Sequence, residues 1–130
     1  MSKVELLART MSFSLAILKL VDQLPRTLSG RAIGNQLVRC GTSVGANYRA
    51  ACRSRSRAEF AARLGIVAEE ADETVYWLEL LRDASLLSEE TLADSLREAN
   101  ELTAIFTAGR RSSNRNQTSN IKPQTSYISS

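Results

Sequence analysis

The chain has 130 residues, of which 43% are hydrophobic, and a formal net charge of +3. This length suits one domain with its own core and is too short for two ordinary domains. With only 2 Pro and 6 Gly, the composition favours long helices over a turn-rich β architecture. No stretch approaches the roughly 18 consecutive apolar residues of a membrane span, and no secretory signal is evident. The sequence therefore predicts a soluble, cytoplasmic, all-α protein without a membrane partner.

The chain lacks the residues on which most catalytic and metal sites depend. It has no histidine, and its two cysteines, Cys40 and Cys52, would lie about 18 Å apart along one helix, too far for a disulfide. A zinc site would need further soft ligands that are absent. The only dense carboxylate cluster, Glu69 to Glu73, has the spacing of an ordinary solvated helix face. We therefore expect no enzyme activity, no metal and no cofactor.

Apolar residues at three- and four-residue steps predict four helices. Helix 1 is expected from about Lys3 to Leu24, between a capping box formed by Ser2 with Glu5 and the stop at Pro25. Its predicted inner face consists of Val4, Leu7, Met11, Leu15, Leu18 and Val21.

Helix 2 is predicted from about Leu28 to Arg53, and three faces can be separated on it. The predicted core stripe consists of Ile33, Leu37, Cys40, Val44, Tyr48 and Ala51. A flank of Gly34, Gly41, Gly45 and Cys52 has almost no side-chain bulk, and it predicts close approach of another helix, with a ligand pocket as the alternative.

Helix 3 is predicted to begin at a second capping box, Ser56 with Glu59, and helix 4 at Ser88, with Gly109 as its stop. Short connections between four helices favour an antiparallel up-down four-helix bundle over residues 1–111. The polar composition of residues 112–130 predicts a disordered tail. The predicted inner faces are Phe60, Leu64, Val67, Ala71, Val75 and Leu78 on helix 3, and Leu92, Leu96, Ala99, Leu102 and Ile105 or Phe106 on helix 4.

The charges are segregated along the chain. Residues 1–56 carry nine Lys or Arg and two Asp or Glu, whereas residues 57–101 carry four and twelve. On the side of helix 2 away from its core stripe, guanidinium groups gather that could bind phosphate, at Arg31, Arg39, Arg49 and Arg53. The alternative is that the basic half pairs with the acidic half within the fold or an oligomer. Both interpretations remain open at this point.

Helix 3 is apolar on more than one side. Its second apolar face, which a monomeric bundle would leave exposed, consists of Ile66, Tyr76, Trp77 and Leu80. A helix with two apolar faces usually contacts a second partner, so these residues are the predicted oligomer interface.

The segments Gln36 to Ala51, Ser54 to Phe60 and Ala68 to Leu81 resemble the four-helix-bundle family of the 23S ribosomal RNA intervening-sequence proteins. The resemblance implies a ring-like homopentamer without known enzymatic activity. That family is similar in fold to accessory proteins of diversity-generating retroelements, basic pentamers that bind nucleic acid and a reverse transcriptase. Ala50 replaces a glutamate that is common in the pattern, which makes the arginine face more basic.

Together these observations lead to two hypotheses. The first is a non-enzymatic homo-oligomer that binds RNA or DNA phosphates through the arginine face of helix 2. The second is a protein–protein scaffold or accessory subunit, for example of a reverse transcriptase, whose basic face pairs with protein carboxylates.

Overall fold

A computed structural model describes the backbone of residues 1–125 and the side chains of residues 1–115. Its four helices are α1 (Lys3–Val21), α2 (Leu28–Ala51), α3 (Arg57–Asp83) and α4 (Glu89–Thr125), and the described residues contain no strand. Each of α1 and α3 packs against α2 and α4, whereas α1 and α3 do not contact each other and lie on a diagonal. The predicted all-α antiparallel four-helix bundle is confirmed.

The predicted caps begin the helices. Ser2 Oγ accepts a hydrogen bond from the Glu5 backbone N–H at 3.1 Å, and Glu5 accepts one in return from the Ser2 N–H at 3.2 Å. Ser56 caps α3 in the same way, but the Glu59 carboxylate accepts from the Arg55 N–H at 2.7 Å instead of from Ser56. These backbone bonds hold the pKa of both glutamates below its ordinary value.

The predicted core of α2 is confirmed residue by residue, since all six positions of its stripe are buried. On α3 and α4 the predicted inner faces are also correct, with three positions at the rim only half-buried: Phe60, Leu96 and Ile105. Tyr48 of α2 and Phe106 of α4 pack with ring centroids 5.2 Å apart.

The predicted inner face of α1 is wrong at four of its six positions, and the other two, Leu7 and Val21, are half-buried against the core. The buried residues of α1 are Leu6, Thr10, Phe13, Ile17 and Leu20. Most of the predicted inner residues instead point outward, namely Val4, Met11, Leu15 and Leu18. Both sets have helical spacing, and the true inner face contains a threonine, whose hydroxyl donates to the Leu6 carbonyl at 2.9 Å and so needs no water.

The glycine flank of α2 lies against α1, which confirms the predicted close approach. A Cβ atom built at Gly41 would lie 2.9 Å from Ile17 Cγ2, and one at Gly34 would lie 3.2 Å from Val21 Cγ1. At Gly41 a larger side chain would force Ile17 or the helix to shift, whereas at Gly34 the side chains of Val21 and Leu24 would have to give by a few tenths of an ångström.

Helix α4 does not stop at Gly109 as predicted, because it continues to Thr125. Gly109 stays in the ordinary helical region and packs on α3, where an added Cβ would lie 3.4 Å from Leu64 Cδ1. Of the predicted tail, the side chains beyond Arg115 and residues 126–130 lie outside the described part of the chain. Both thiols are free, with Cys40 buried and Cys52 half-buried.

Candidate nucleic-acid interface

The four arginines predicted to bind phosphate do not form one cluster. Arg31 lies in the first turn of α2, whereas Arg49 and Arg53 lie at its other end. At about 1.5 Å per residue, Arg31 and Arg49 are separated by roughly 27 Å along the helix axis. All four side chains are exposed, but their neighbouring residues differ.

Arg39 is held by carboxylates of α3. Its guanidinium donates to Glu70 Oε1 at 3.0 Å and also bonds Glu73, whose carboxylate accepts a further bond from Trp77 Nε1 at 3.1 Å. The Arg39 side chain nevertheless remains 48% exposed. For Arg39, the interpretation that the basic half pairs with the acidic half within the fold is therefore correct. A phosphate would have to compete with two carboxylates for this guanidinium.

Arg49 and Arg53 instead belong to a concentration of positive charge at one end of the bundle. The antiparallel topology brings the end of α2 and the start of α3 to the same end, together with Arg55 in the loop and Arg57 at the first position of α3. The later part of α4 joins them, because a Cβ built at Gly65 of α3 would lie 3.3 Å from Cδ of Arg110.

We call this surface the basic end. Its cations are exposed, and none forms an ion pair with another side chain that the structure describes: Lys3, Arg49, Arg53, Arg55, Arg57, Arg110, Arg111 and Arg115. The nearby carboxylates of Glu5 and Glu59 are occupied by helix capping, and Glu59 also accepts from Arg63 at 3.2 Å. The basic end is therefore strongly positive.

The opposite end of the bundle carries both signs of charge. Lys19, Arg26 and Arg31 lie there with Asp22, and the end of α3 and the start of α4 contribute a larger group of acids. That acidic group consists of Glu79, Asp83, Glu89, Glu90 and Asp94. The positive potential of the molecule is thus concentrated at one end rather than spread along one face of α2.

The largest part of the basic end is not among the residues predicted from the sequence. Two short basic runs are visible in the sequence, one with Arg55 and Arg57 and one with Arg110, Arg111 and Arg115, but about 50 residues separate the runs. The signal that could have joined them is the up-down topology itself, which places the end of α2 beside the start of α3 and the late part of α4.

The predicted oligomer face of α3 is on the outside of the bundle. Ile66 is 47% exposed and Tyr76 is 57% exposed, whereas Trp77 and Leu80 are half-buried. The rings of Tyr76 and Trp77 meet edge to face, with centroids 5.0 Å apart.

Two buried groups of the bundle, a thiol and a phenol, have raised pKa values. Burial raises the pKa of the Cys40 thiol, and it is the main reason that the pKa of Tyr48 rises to about 12. Among the described residues, no three acidic or thiol side chains are grouped to hold a metal ion. Within the same residues, no helix has both the length and the apolar composition needed to cross a bilayer.

Comparison with known proteins identifies the family. Residues 2–108 match the model of the 23S rRNA-intervening sequence protein family. A crystal structure from Bacteroides thetaiotaomicron VPI-5482, of a protein with unknown function from the S23 ribosomal protein family, is similar at a TM-score of 0.74 with 31% sequence identity. That similarity covers 79% of this chain and 95% of the other. No match is found among curated proteins. The chain belongs to the 23S rRNA-intervening sequence protein family.

Proposed function

We propose that the protein is a non-enzymatic homo-oligomer that binds RNA or DNA phosphates through the basic end. The observation that carries this proposal is the set of exposed cations, mostly arginines, that have no carboxylate partner among the described side chains. Guanidinium groups bind phosphate oxygens in pairs, and a polyanion can contact several of them at once.

The proposal keeps two of the arginines expected from the sequence and gives less weight to the other two. Arg49 and Arg53 lie at the basic end, whereas Arg39 is engaged by α3 and Arg31 lies near the mixed-charge end. Tyr48, the aromatic residue of α2 closest to this end, is buried and therefore not available for stacking on bases. Binding is expected to follow the sugar–phosphate backbone with little sequence preference.

Fluorescence anisotropy with a short labelled single-stranded RNA tests this proposal. The triple variant Arg53→Ala, Arg55→Ala, Arg57→Ala should bind more weakly, and its plot of log affinity against log salt should be less steep by up to about 2. The matched control removes three cations from the other end by Lys19→Ala, Arg26→Ala, Arg31→Ala. Equal losses in both variants, or no binding by the natural protein at low ionic strength, would contradict the proposal.

The alternative function is a protein–protein scaffold or accessory subunit, with a reverse transcriptase as one partner that the resemblance suggests. The bonds of Arg39 to Glu70 and Glu73 favour it, because they show this basic helix pairing with protein carboxylates. Under this alternative, Arg53→Ala, which lies outside the groove between α1 and α2, would weaken assembly while leaving any affinity for RNA unchanged. Protein purified without nuclease would then show the 260/280 nm absorbance ratio of protein alone.

The leading proposal also includes self-association. The exposed side chains of Ile66 and Tyr76 support it, since two large apolar groups lie on the outer side of one helix. The pentamer count comes from the family resemblance. Light scattering coupled to size-exclusion chromatography, at several protein concentrations, measures the number of copies directly.

A further inference from the structure

The outer side of α1 carries a long apolar strip. Its members lie at helical spacing over about 21 Å and are each 40% to 73% exposed: Val4, Met11, Leu15 and Leu18. Large apolar side chains that are exposed one by one are common, but four in a row along one helix are typical of an interaction surface. We call these four residues the α1 strip.

A groove between α1 and α2 widens the α1 strip. It has a volume of about 580 Å³, with Leu7 and Met11 on one wall, Gly45 and Ala46 on the other, and Arg49 among its lining residues. No carboxylate lines this groove. The charged neighbours of the groove and of the middle of the strip, Arg49 and Lys19, are positive. At the two ends of the strip lie Glu5, which caps α1, and Asp22, so the positive charge is confined to the groove side.

The outer side of α3 has the complementary character. The apolar residues there are Ile66, Tyr76 and Leu80, which we call the α3 strip. The exposed carboxylates of Glu69 and Asp72 lie between Ile66 and Tyr76 in sequence, and neither forms an ion pair with a described side chain. Apolar area combined with unpaired negative charge matches the apolar area with positive charge on the α1 side.

We propose that the α1 strip and its groove receive the α3 strip of a second copy of this chain. This inference rests on the self-association proposed above and names the two surfaces that meet. Because α1 and α3 lie on a diagonal of the bundle, the two surfaces face different sides of the protomer. The contact is therefore head-to-tail, and an open chain of copies keeps one free α1 surface at one end and one free α3 surface at the other until a ring closes.

The test uses two single variants of the full chain, each blocking one surface. Leu15→Asp places a charge in the α1 strip, and Ile66→Asp places one in the α3 strip. Each variant alone should sediment as a monomer. An equimolar mixture should form a species of two chains and no larger, because the intact α3 strip of one variant meets the intact α1 strip of the other.

Both substituted positions are about half exposed, so neither substitution should unfold the bundle. Circular dichroism should therefore show unchanged helix content in both variants. Leu28→Asp is the matched control, since Leu28 is 89% exposed outside both strips and its replacement should leave assembly unchanged. An assembled natural chain with a monomeric mixture would overturn the pairing and leave self-association intact. Assembly of Ile66→Asp alone would overturn the pairing in favour of contact between two α1 strips. A monomeric natural chain would overturn both.

Discussion

Helix α1 has two apolar sides that look alike in sequence and have different surroundings in the fold. The inner side, with Phe13 and Ile17, is almost completely buried, whereas on the outer side Met11 and Leu15 are more than half exposed. The inner side meets the glycine flank of α2, where a Cβ would approach Ile17 to within 2.9 Å. The shape of the opposing helix, and not apolar spacing alone, therefore decides which side of a helix is buried in the core.

The largest expected effect that tests this comparison comes from truncating one residue on each side. Ile17→Ala removes a fully buried side chain and should lower the free energy of unfolding by about 2–5 kcal/mol. Leu15→Ala, on the exposed side, should change the free energy of unfolding of the protomer by less than about 0.5 kcal/mol. Urea denaturation at a protein concentration where the chain is monomeric measures both values, and similar losses would contradict the assignment of the two sides.

A smaller effect is expected from filling the space between α1 and α2. Gly41→Leu should lower the free energy of unfolding by about 1–3 kcal/mol, because the new side chain meets Ile17 with no room to move. Gly109→Ala is the control, since its Cβ would make ordinary contact with Leu64 and the helix should gain up to about 1 kcal/mol. Thermal unfolding followed by circular dichroism should therefore shift in opposite directions for the two variants.

The smallest expected effect concerns the edge between the two sides of α1, where Arg9 reaches α4. Arg9 Nε and Nη2 donate to the two Glu98 oxygens at 2.7 and 2.6 Å, and this pairing raises the pKa of Arg9. Glu98→Gln should cost about 1 kcal/mol of unfolding free energy at low salt and less at high salt. Asp94→Asn breaks a more exposed pair with Arg97 and should have no measurable effect.

The parts of the fold that were predictable are those that depend on local sequence. Helix starts follow from Ser2, Ser56 and Ser88, because capping uses hydrogen bonds three residues apart. The core stripe and glycine flank of α2 follow from one helical projection, since that helix has a single apolar side.

The parts that were not predictable depend on contacts between distant segments. Because α1 has two apolar sides with similar spacing, its periodicity does not indicate which side is buried. Gly109 resembles a helix stop, but only packing on Leu64 shows why a glycine lies within α4. The basic end joins Arg55 to Arg110 across the bundle, and the partners of Arg39 are 31 and 34 residues away in sequence.

Gly45 lies where the buried contact of α1 with α2 meets the outer groove. On one side a Cβ at this position would touch Thr10 at 3.4 Å, within the buried contact of α1 with α2. On the other side, Gly45 lines the outer groove. An alanine at this position would narrow the groove while making only an ordinary contact with Thr10, so one added methyl group would change the groove without separating the two helices.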